Sequence, residues 1–283
     1  MRTVVQGRVR QIAIDTNGPF VVIGEKINPT GRRKLAEDLA AGNFEYVRDL
    51  ARIQVEAGAD MLDVNVGVPG VDEVDLLPKV VKVVAEAVDV PLCIDSANRE
   101  ALSATLATLT GKPLVNSVNG EEACLNTILP VIKEYGAAVI ALPMDSSGIP
   151  NDPEARLSIA EKIIERAAKI GIPIEDIVID PLVLTVGADS RAGAITLQTI
   201  ELVRRALDVN VSLGASNVSF GLPDRLTLNQ AFLGLAIAAG ASCAITDPMK
   251  LGLTIRAIDL LRGRDEHAAR YIRHFRKRDL MSR

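Results

Sequence analysis

A single (β/α)8 barrel is the fold class this sequence predicts, and three observations lead there. Apolar segments of strand length recur eight times along the 283 residues, and stretches with helical periodicity separate them. Several helix-to-strand joints carry a glycine where a helix C-cap belongs. Strand and helix in regular alternation give parallel strands joined by crossover helices. Eight such units in about 250 residues fit a closed barrel better than an open doubly wound sheet, which more often has five to seven strands and a phosphate loop. Neither GxGxxG nor GxxxxGK[ST] occurs in the chain.

Taken in order, the strands are expected at 20–27, 61–66, 91–94, 113–118, 137–144, 177–183, 211–218 and 243–246. Between them, Phe44, Val47, Leu50, Ala51 and Gln54 repeat at helical spacing, as do Leu157, Ala160, Ile163, Ile164 and Ala167. Gly58, Gly136, Gly171 and Gly240 each close a helix and precede a strand. The uncharged run 226–246 has the length of a membrane span, but Asn229, Gln230, two glycines and Ser242 interrupt it. A buried helix followed by a buried strand is expected there instead. Residues 1–19 form an extension whose alternating segment, Val4 to Ile12, predicts a strand or hairpin closing the barrel floor. The barrel itself is assigned to 20–261. The tail, 262–283, carries eight Lys/Arg against three Asp/Glu, whereas the rest of the chain is net acidic. Ala268, Tyr271, Ile272 and Phe275 predict a terminal helix that packs this face on the barrel and leaves its basic face in solvent.

Composition narrows the function. Hydrophobic residues are 48% and charged residues 24%, which is the balance of a globular protein with a sizeable core. Aromatics are only 3% and tryptophan is absent, which argues against a protein that stacks single-stranded bases or sugar rings; no nucleic-acid partner is expected. Cys93, Cys124 and Cys243 are too far apart for a zinc or iron-sulfur motif and read as reduced thiols. His267 and His274 are the only histidines, so Ser-His-Asp and multi-histidine metal chemistry are excluded from the body of the chain and no bound metal is expected. Arg2, Arg8 and Arg10 are not followed by an apolar run of signal-peptide length, so a cytoplasmic location without membrane association is expected.

In a (β/α)8 barrel the C-terminal strand ends build the active site. Nearly every predicted strand ends in a carboxylate or carboxamide: Glu25 and Asn28, Asp63 and Asn65, Asp95, Asn116 and Asn119, Asp180, Ser216 and Asn217, and Asp247. Such a ring, with hardly any cations, suits a hydrogen-bond-rich neutral heterocycle, because one carboxylate accepts two N–H bonds from an amidine-like edge. It suits phosphate poorly. Taken singly, each aspartate also reads as an N-cap of the following helix.

The segments IGEKIN (23–28), LDVNVG (62–67), CIDSAN (93–98), LVNSVNG (114–120), VIDPLV (178–183) and GASNVSFGLPDR (214–225) resemble, in order and spacing, the pterin-binding methyltransferases that use methyltetrahydrofolate. These include the methyltransferase of the corrinoid iron-sulfur protein and the folate domain of cobalamin-dependent methionine synthase. The likeness covers roughly residues 20–260. It implies that Asp95, Asn116 and Asp180 hold the pterin ring, that Asn217 sits at N5 and is the catalytic residue, and that Arg225 contacts the folate. Glu25, Asn28, Asp63, Asn65 and Ser216 match positions lining the same cavity. Phe220 departs from the corrinoid iron-sulfur type, which has glutamine there, and agrees with methionine synthase.

The implied reaction moves a methyl group, in either direction, between N5 of methyltetrahydrofolate and the Co(I) corrinoid of a partner protein or free cobalamin. Leaving from a tertiary amine requires proton donation or strong hydrogen bonding at N5, which a fixed carboxamide can track. Asp265, His267 and Arg270 read as DxHxxR, close to the cobalt-ligating DxHxxG of cobalamin domains, but the final glycine is missing. The corrinoid is therefore expected to arrive from outside the chain. Two alternatives stand beside this reading. A dihydropteroate synthase-like pterin transferase would carry a lysine after strand 6 and an SRK-type segment after strand 7, where this chain has VIDPLVLTVGA and SNVSFGLPDR. A non-catalytic pterin-binding subunit would bind folate without methyl transfer. By family analogy the chain is expected to form a homodimer.

Overall fold

The computed structural model describes residues 1–281, the side chains of the last few excepted. Eight parallel strands form the barrel: β3 (Val21–Ile27), β4 (Met61–Val64), β5 (Leu92–Asp95), β6 (Leu114–Asn119), β7 (Ala138–Leu142), β8 (Ile177–Ile179), β9 (Asn210–Val211) and β10 (Cys243–Thr246). Their order in the sheet is β10-β3-β4-β5-β6-β7-β8-β9, and a parallel bridge between Gly214 and Ile245 closes the ring. The helices around it are α1 (Arg33–Ala40), α2 (Glu45–Glu56), α3 (Glu73–Ala87), α4 (Arg99–Leu106), α5 (Glu122–Tyr135), α6 (Pro153–Lys169), α7 (Ala192–Leu207), α8 (Arg225–Ala239) and α9 (Pro248–Leu261). The fold is thus the expected (β/α)8 barrel. The run 226–246 is α8 followed by β10, and no helix among the described residues is long and apolar enough to cross a membrane.

Strand periodicity divides the core in two. Val22, Leu62, Ile94, Val115, Val139 and Ile179 face outward into the layer shared with the helices. Val21, Ile23, Met61, Cys93, Leu114, Ile140, Val178 and Cys243 face the barrel axis. Each helix offers the sheet one stripe, as in α2, where Val47, Leu50, Ala51 and Gln54 are buried at i, i+3, i+4 and i+7. Gly136 closes α5 in the left-handed conformation, and Gly240 closes α8 at φ 124°, both conformations that favour glycine.

The N-terminal extension is an antiparallel hairpin, β1 (Arg2–Gln6) paired with β2 (Gln11–Asp15). Val5 and Ile14 join the inner core, so the hairpin plugs the barrel floor as anticipated. Buried Asn210 donates to Thr3 Oγ1 and to the Ile14 carbonyl, both at 2.9 Å, pinning the plug from inside.

The terminal helix α10 (Ala269–Met281) does pack against α9, but not on the predicted face. Ile272 and Phe275 are 41% and 46% exposed. The face toward the barrel carries Arg270 and His274 instead. Arg270 reaches the fully buried Asp259 at 3.1 Å, and the His274 ring fills a notch left by Gly58 and Gly252, where a Cβ would lie 2.8 and 2.6 Å from it. A buried carboxylate needs its cation more than two half-buried apolar side chains need cover, and that need sets the helix rotation.

Candidate active site

The residues of the candidate site continue the inward-facing rows of the strands. In β3, Val21 and Ile23 point to the axis, and Glu25 is the next residue of that phase. The same step of two leads from Met61 to Asp63, from Cys93 to Asp95, from Leu114 to Asn116 and from Val178 to Asp180. The apolar interior therefore ends, at the C-terminal mouth, in a layer of carboxylates and a carboxamide.

Within that layer the structure brings several side chains together. Asn65 Nδ2 donates to Asp95 Oδ2 at 3.1 Å, and Asn116 Nδ2 lies 3.4 Å from Asp63 Oδ1. Asp63 is 2% exposed; burial, reinforced by the Asp95 and Glu25 charges, drives its carboxyl well above the usual range. Burial likewise raises Asp95 to about 6, with the bond from Asn65 opposing the shift. Asp180 is also raised to about 6 by burial, against the backbone N–H groups of Leu182 and Gly214 that donate to it. The bond from the Leu182 amide is 2.8 Å long and holds Leu182 at φ 63°. Neither Asp95 nor Asp180 caps a helix. Asn98 caps α4, and Arg191 occupies the N-cap position of α7. Asp247 does cap α9, accepting from the Met249 amide at 3.1 Å.

On the opposite wall, Ser216 Oγ donates to Glu25 Oε2 at 2.9 Å, tying β3 to the 3-10 turn Ala215–Ser219. Asn217 stands on that turn, exposed, with its amide group folded over Gly214. Arg225 braces the turn from outside, donating through Nε to Ser219 Oγ at 3.0 Å and through Nη2 to the Ser216 carbonyl at 2.7 Å. Asn28 accepts from the Thr30 amide at 3.0 Å, and so its oxygen serves its own loop.

Three features escaped the sequence. The mouth is not short of cations: Lys26 pairs with Asp247 and lies 3.7 Å from Glu25, and Arg32, Arg225 and Lys250 stand around the same cavity. Arg156 is 1% exposed and donates to the carbonyls of Pro150, Pro181 and Leu182, behind Asp180. Its place in the buried row Arg156, Ala160, Ile163, Ala167 was a periodicity signal available beforehand. Gln54, fully buried, accepts from the Lys26 amide at 2.8 Å where β3 is bulged. Asp265 of the DxHxxR run accepts from the Arg270 and Tyr271 amides, both at 2.9 Å, and so caps α10.

With this geometry in place, comparison with known proteins is informative. The sequence pattern of the pterin binding enzymes matches residues 24–247, which include every strand-end residue of the site from Glu25 to Asp247 but not Lys250, Met249 or the α10 contacts of Asp265. The chain belongs to the pterin-binding enzyme family. Among the family's relatives, it is 33% identical over 266 residues to the methylcorrinoid:tetrahydrofolate methyltransferase of Eubacterium limosum, spanning 91% of this chain and 97% of that one. It is 33% identical over 244 residues to the methionine synthase of Mycobacterium tuberculosis, a match to 82% of this chain but 20% of that longer protein. Among solved structures, Yersinia pestis dihydropteroate synthase with a pterin-sulfa conjugate superposes with a TM-score of 0.72 over 92% of this chain and 99% of that one, at 17% identity. That last likeness is one of fold.

Proposed function

We propose that this protein transfers a methyl group between N5 of methyltetrahydrofolate and the Co(I) corrinoid of a partner protein. The observation carrying the reading is the pair of inward-facing aspartates, Asp95 and Asp180, both held near 6 by burial. A carboxylate short of hydrogen-bond donors is stabilised by a ligand that brings them, and the amino-pyrimidinone edge of a pterin presents adjacent N–H groups. Asp95, Asn116 and Asp180 hold the ring in this scheme, with Asn65 and Asp63 orienting Asp95 and Asn116. Glu25 and Ser216 set the turn, and Arg225 braces it. Asn28 shapes the neighbouring loop.

Asn217 takes the position at N5. As the N5–methyl bond breaks and its electron pair stays on the nitrogen, the carboxamide donates a hydrogen bond to N5 and solvent supplies the proton that completes the N–H of tetrahydrofolate. The corrinoid supplies, when bound, a nucleophilic Co(I) for the methyl carbon; the protein's part is alignment and control of the proton. The names of the Eubacterium limosum and Mycobacterium tuberculosis relatives support this reading over a dihydropteroate synthase-like transfer. The barrel, 20–261, is the functional unit in this account, flanked by the hairpin region 1–19 and the basic tail 262–283. A cytoplasmic homodimer belongs to the same proposal, and light scattering giving a monomer at micromolar concentration would remove the dimer from it.

An anaerobic assay with methyl-labelled methyltetrahydrofolate and Co(I) cobalamin tests the reaction. Label passing to the corrinoid as the Co(I) absorbance falls is the expected result. Folate binding by calorimetry with no transfer, to free cobalamin or to a corrinoid protein, would leave a binding subunit and refute the catalytic claim.

A further inference from the structure

The cations that α10 carries to the barrel do more than answer Asp259. At the floor, beside the hairpin turn and the start of β4, a cavity of about 180 Å³ is ringed by Arg10, Arg256, Arg270, Arg273 and Lys277, with His274 in its wall. Among the described residues, Asp60 is the one acid that lines it, and its carboxylate is already engaged, accepting from the Val22 amide at 3.0 Å and from Arg256 Nη2 at 2.9 Å. Asp259 stands behind, fully buried, and accepts from the Phe20 amide as well as from Arg270. Five positive charges thus meet two negative ones, an excess of three at one hollow.

Part of this cluster is rigid. Arg256 is 5% exposed and held by the Phe20 and Gly58 carbonyls at 3.0 and 3.1 Å, so its charge cannot swing away. Arg270 engages Asp259 through Nη1, and its Nε and Nη2 make no hydrogen bond among the described residues. Nor, among them, does any carboxylate lie within ion-pair distance of Arg10, Arg273 or Lys277. Burial and the Arg256 charge both push the Arg270 guanidinium below its ordinary range, and His274 is lowered by burial and then by Arg256, Arg278 and Lys277. Like charges gathered in this way are unfavourable until an anion joins them. A second hollow, of about 230 Å³, adjoins the first across His274 and Lys277, which line both. Its other walls are Ala57, Pro248 and Met249, the last 41% exposed, with the exposed Glu56 and Arg278.

We infer that the two hollows together bind a phosphate monoester, its phosphate among the cations of the first and its carbon-bearing part against Pro248 and Met249 in the second. Guanidinium forks match phosphate oxygens two at a time, and a dianion offsets most of the charge excess that a neutral ligand would leave standing. The neutral His274 imidazole, between the hollows, adds one N–H donor. Bound there, the ester joins the hairpin through Arg10, α9 through Arg256 and α10 through Arg270, Arg273 and Lys277, and so fastens the tail to the barrel. The site lies at the floor, whereas Asp95 and Asp180 stand at the mouth. It is therefore independent of the proposed methyl transfer, and either can fail without the other.

Calorimetric titration of the full-length protein with phenyl phosphate and with orthophosphate, at about 0.05 M sodium chloride, tests the inference. Phenyl phosphate is expected to bind once per chain with a dissociation constant of about 1 mM or below, and at least about fivefold more tightly than orthophosphate because its ring covers apolar surface. Arg273→Glu and Lys277→Glu, both at exposed positions, should each weaken it about tenfold. Arg205→Glu makes the same change of net charge on α7, outside both hollows, and should alter the affinity by no more than about twofold. Absence of binding up to about 10 mM would overturn the site. Equal losses in Arg205→Glu and the two α10 variants would reduce it to general attraction by net charge, and affinity retained in both α10 variants would place the anion elsewhere; either result overturns the inference. Orthophosphate binding as tightly as phenyl phosphate would overturn the assignment of a monoester.

Discussion

Replacing Asp180 by asparagine should make the protein more stable at neutral pH while removing its affinity for folate. The carboxyl is held at about 6 in the folded protein against 3.8 when unperturbed, because it is buried with few donors. Between those two values the folded protein keeps a proton that the unfolded chain has released. Stability therefore falls as pH rises from about 4 to about 6 and stays lower above. At about 1.4 kcal/mol per pH unit of difference, ionised Asp180 costs the fold about 3 kcal/mol at pH 8. Asparagine has the same shape and no charge, but its one oxygen cannot serve both the Leu182 and Gly214 amides, which offsets about 1 kcal/mol or more of the gain. A net stabilisation of about 1–2 kcal/mol at pH 8 follows, or about 2–8 °C in Tm for a chain of this size. At pH 4 the gain should vanish. Thermal unfolding of wild type and Asp180→Asn across pH 4–8, with calorimetric titration of folate at pH 7, reads both effects. A gap between the two proteins that does not change with pH, or a variant less stable at pH 8, would refute the claim that this carboxylate is strained by burial. Undiminished folate affinity would refute its role in binding.

Asn217→Ala is expected to lower methyl transfer by about 100-fold, the scale of losing one transition-state donor. Its effect on the folate dissociation constant should stay within about threefold, and single-turnover kinetics with equilibrium binding separate the two. Arg156→Met leaves the Pro150 and Pro181 carbonyls without a donor and Leu182 with only the 3.4 Å bond from Thr196 Oγ1, so urea unfolding should show a loss of about 2–4 kcal/mol. Because those carbonyls belong in part to the loop whose amide holds Asp180, KM for folate should rise more than kcat falls. Gly24→Ala puts a Cβ 2.5 Å from Gln54 Oε1 and 2.9 Å from Leu62 Cδ2. Overpacking there should cost about 1–3 kcal/mol, visible as a lowered Tm, and an unchanged Tm would show that the bulge in β3 tolerates a side chain.

The inward rows of the strands were legible because period two is a local property of the backbone. Once Met61 and Cys93 are placed toward the axis, Asp63 and Asp95 follow them. The hairpin plug was legible for the same reason, in the alternation around Val5. Strand limits were less so: the segment expected over 211–218 is a two-residue strand, Asn210–Val211, followed by the 3-10 turn that carries Asn217. Local pattern also left every strand-end aspartate able to serve either as a cap or as a pocket residue. Asp247 became a cap and Asp95 and Asp180 did not, because loop length decides where the following helix begins.

The sequence by itself determined the barrel, its eight strands and the chemistry at their ends, since these depend on periodicity and on residue type. Tertiary structure alone decided which charges meet. Arg270 turns α10 toward a buried Asp259, Arg156 reaches the carbonyls of another strand's loop, and Arg32, Arg225 and Lys250, up to 218 residues apart in sequence, surround one cavity. Hydrophobic patterning repeats within a few residues and is read locally; electrostatic pairing acts through space between distant segments and becomes visible only when the ring has closed.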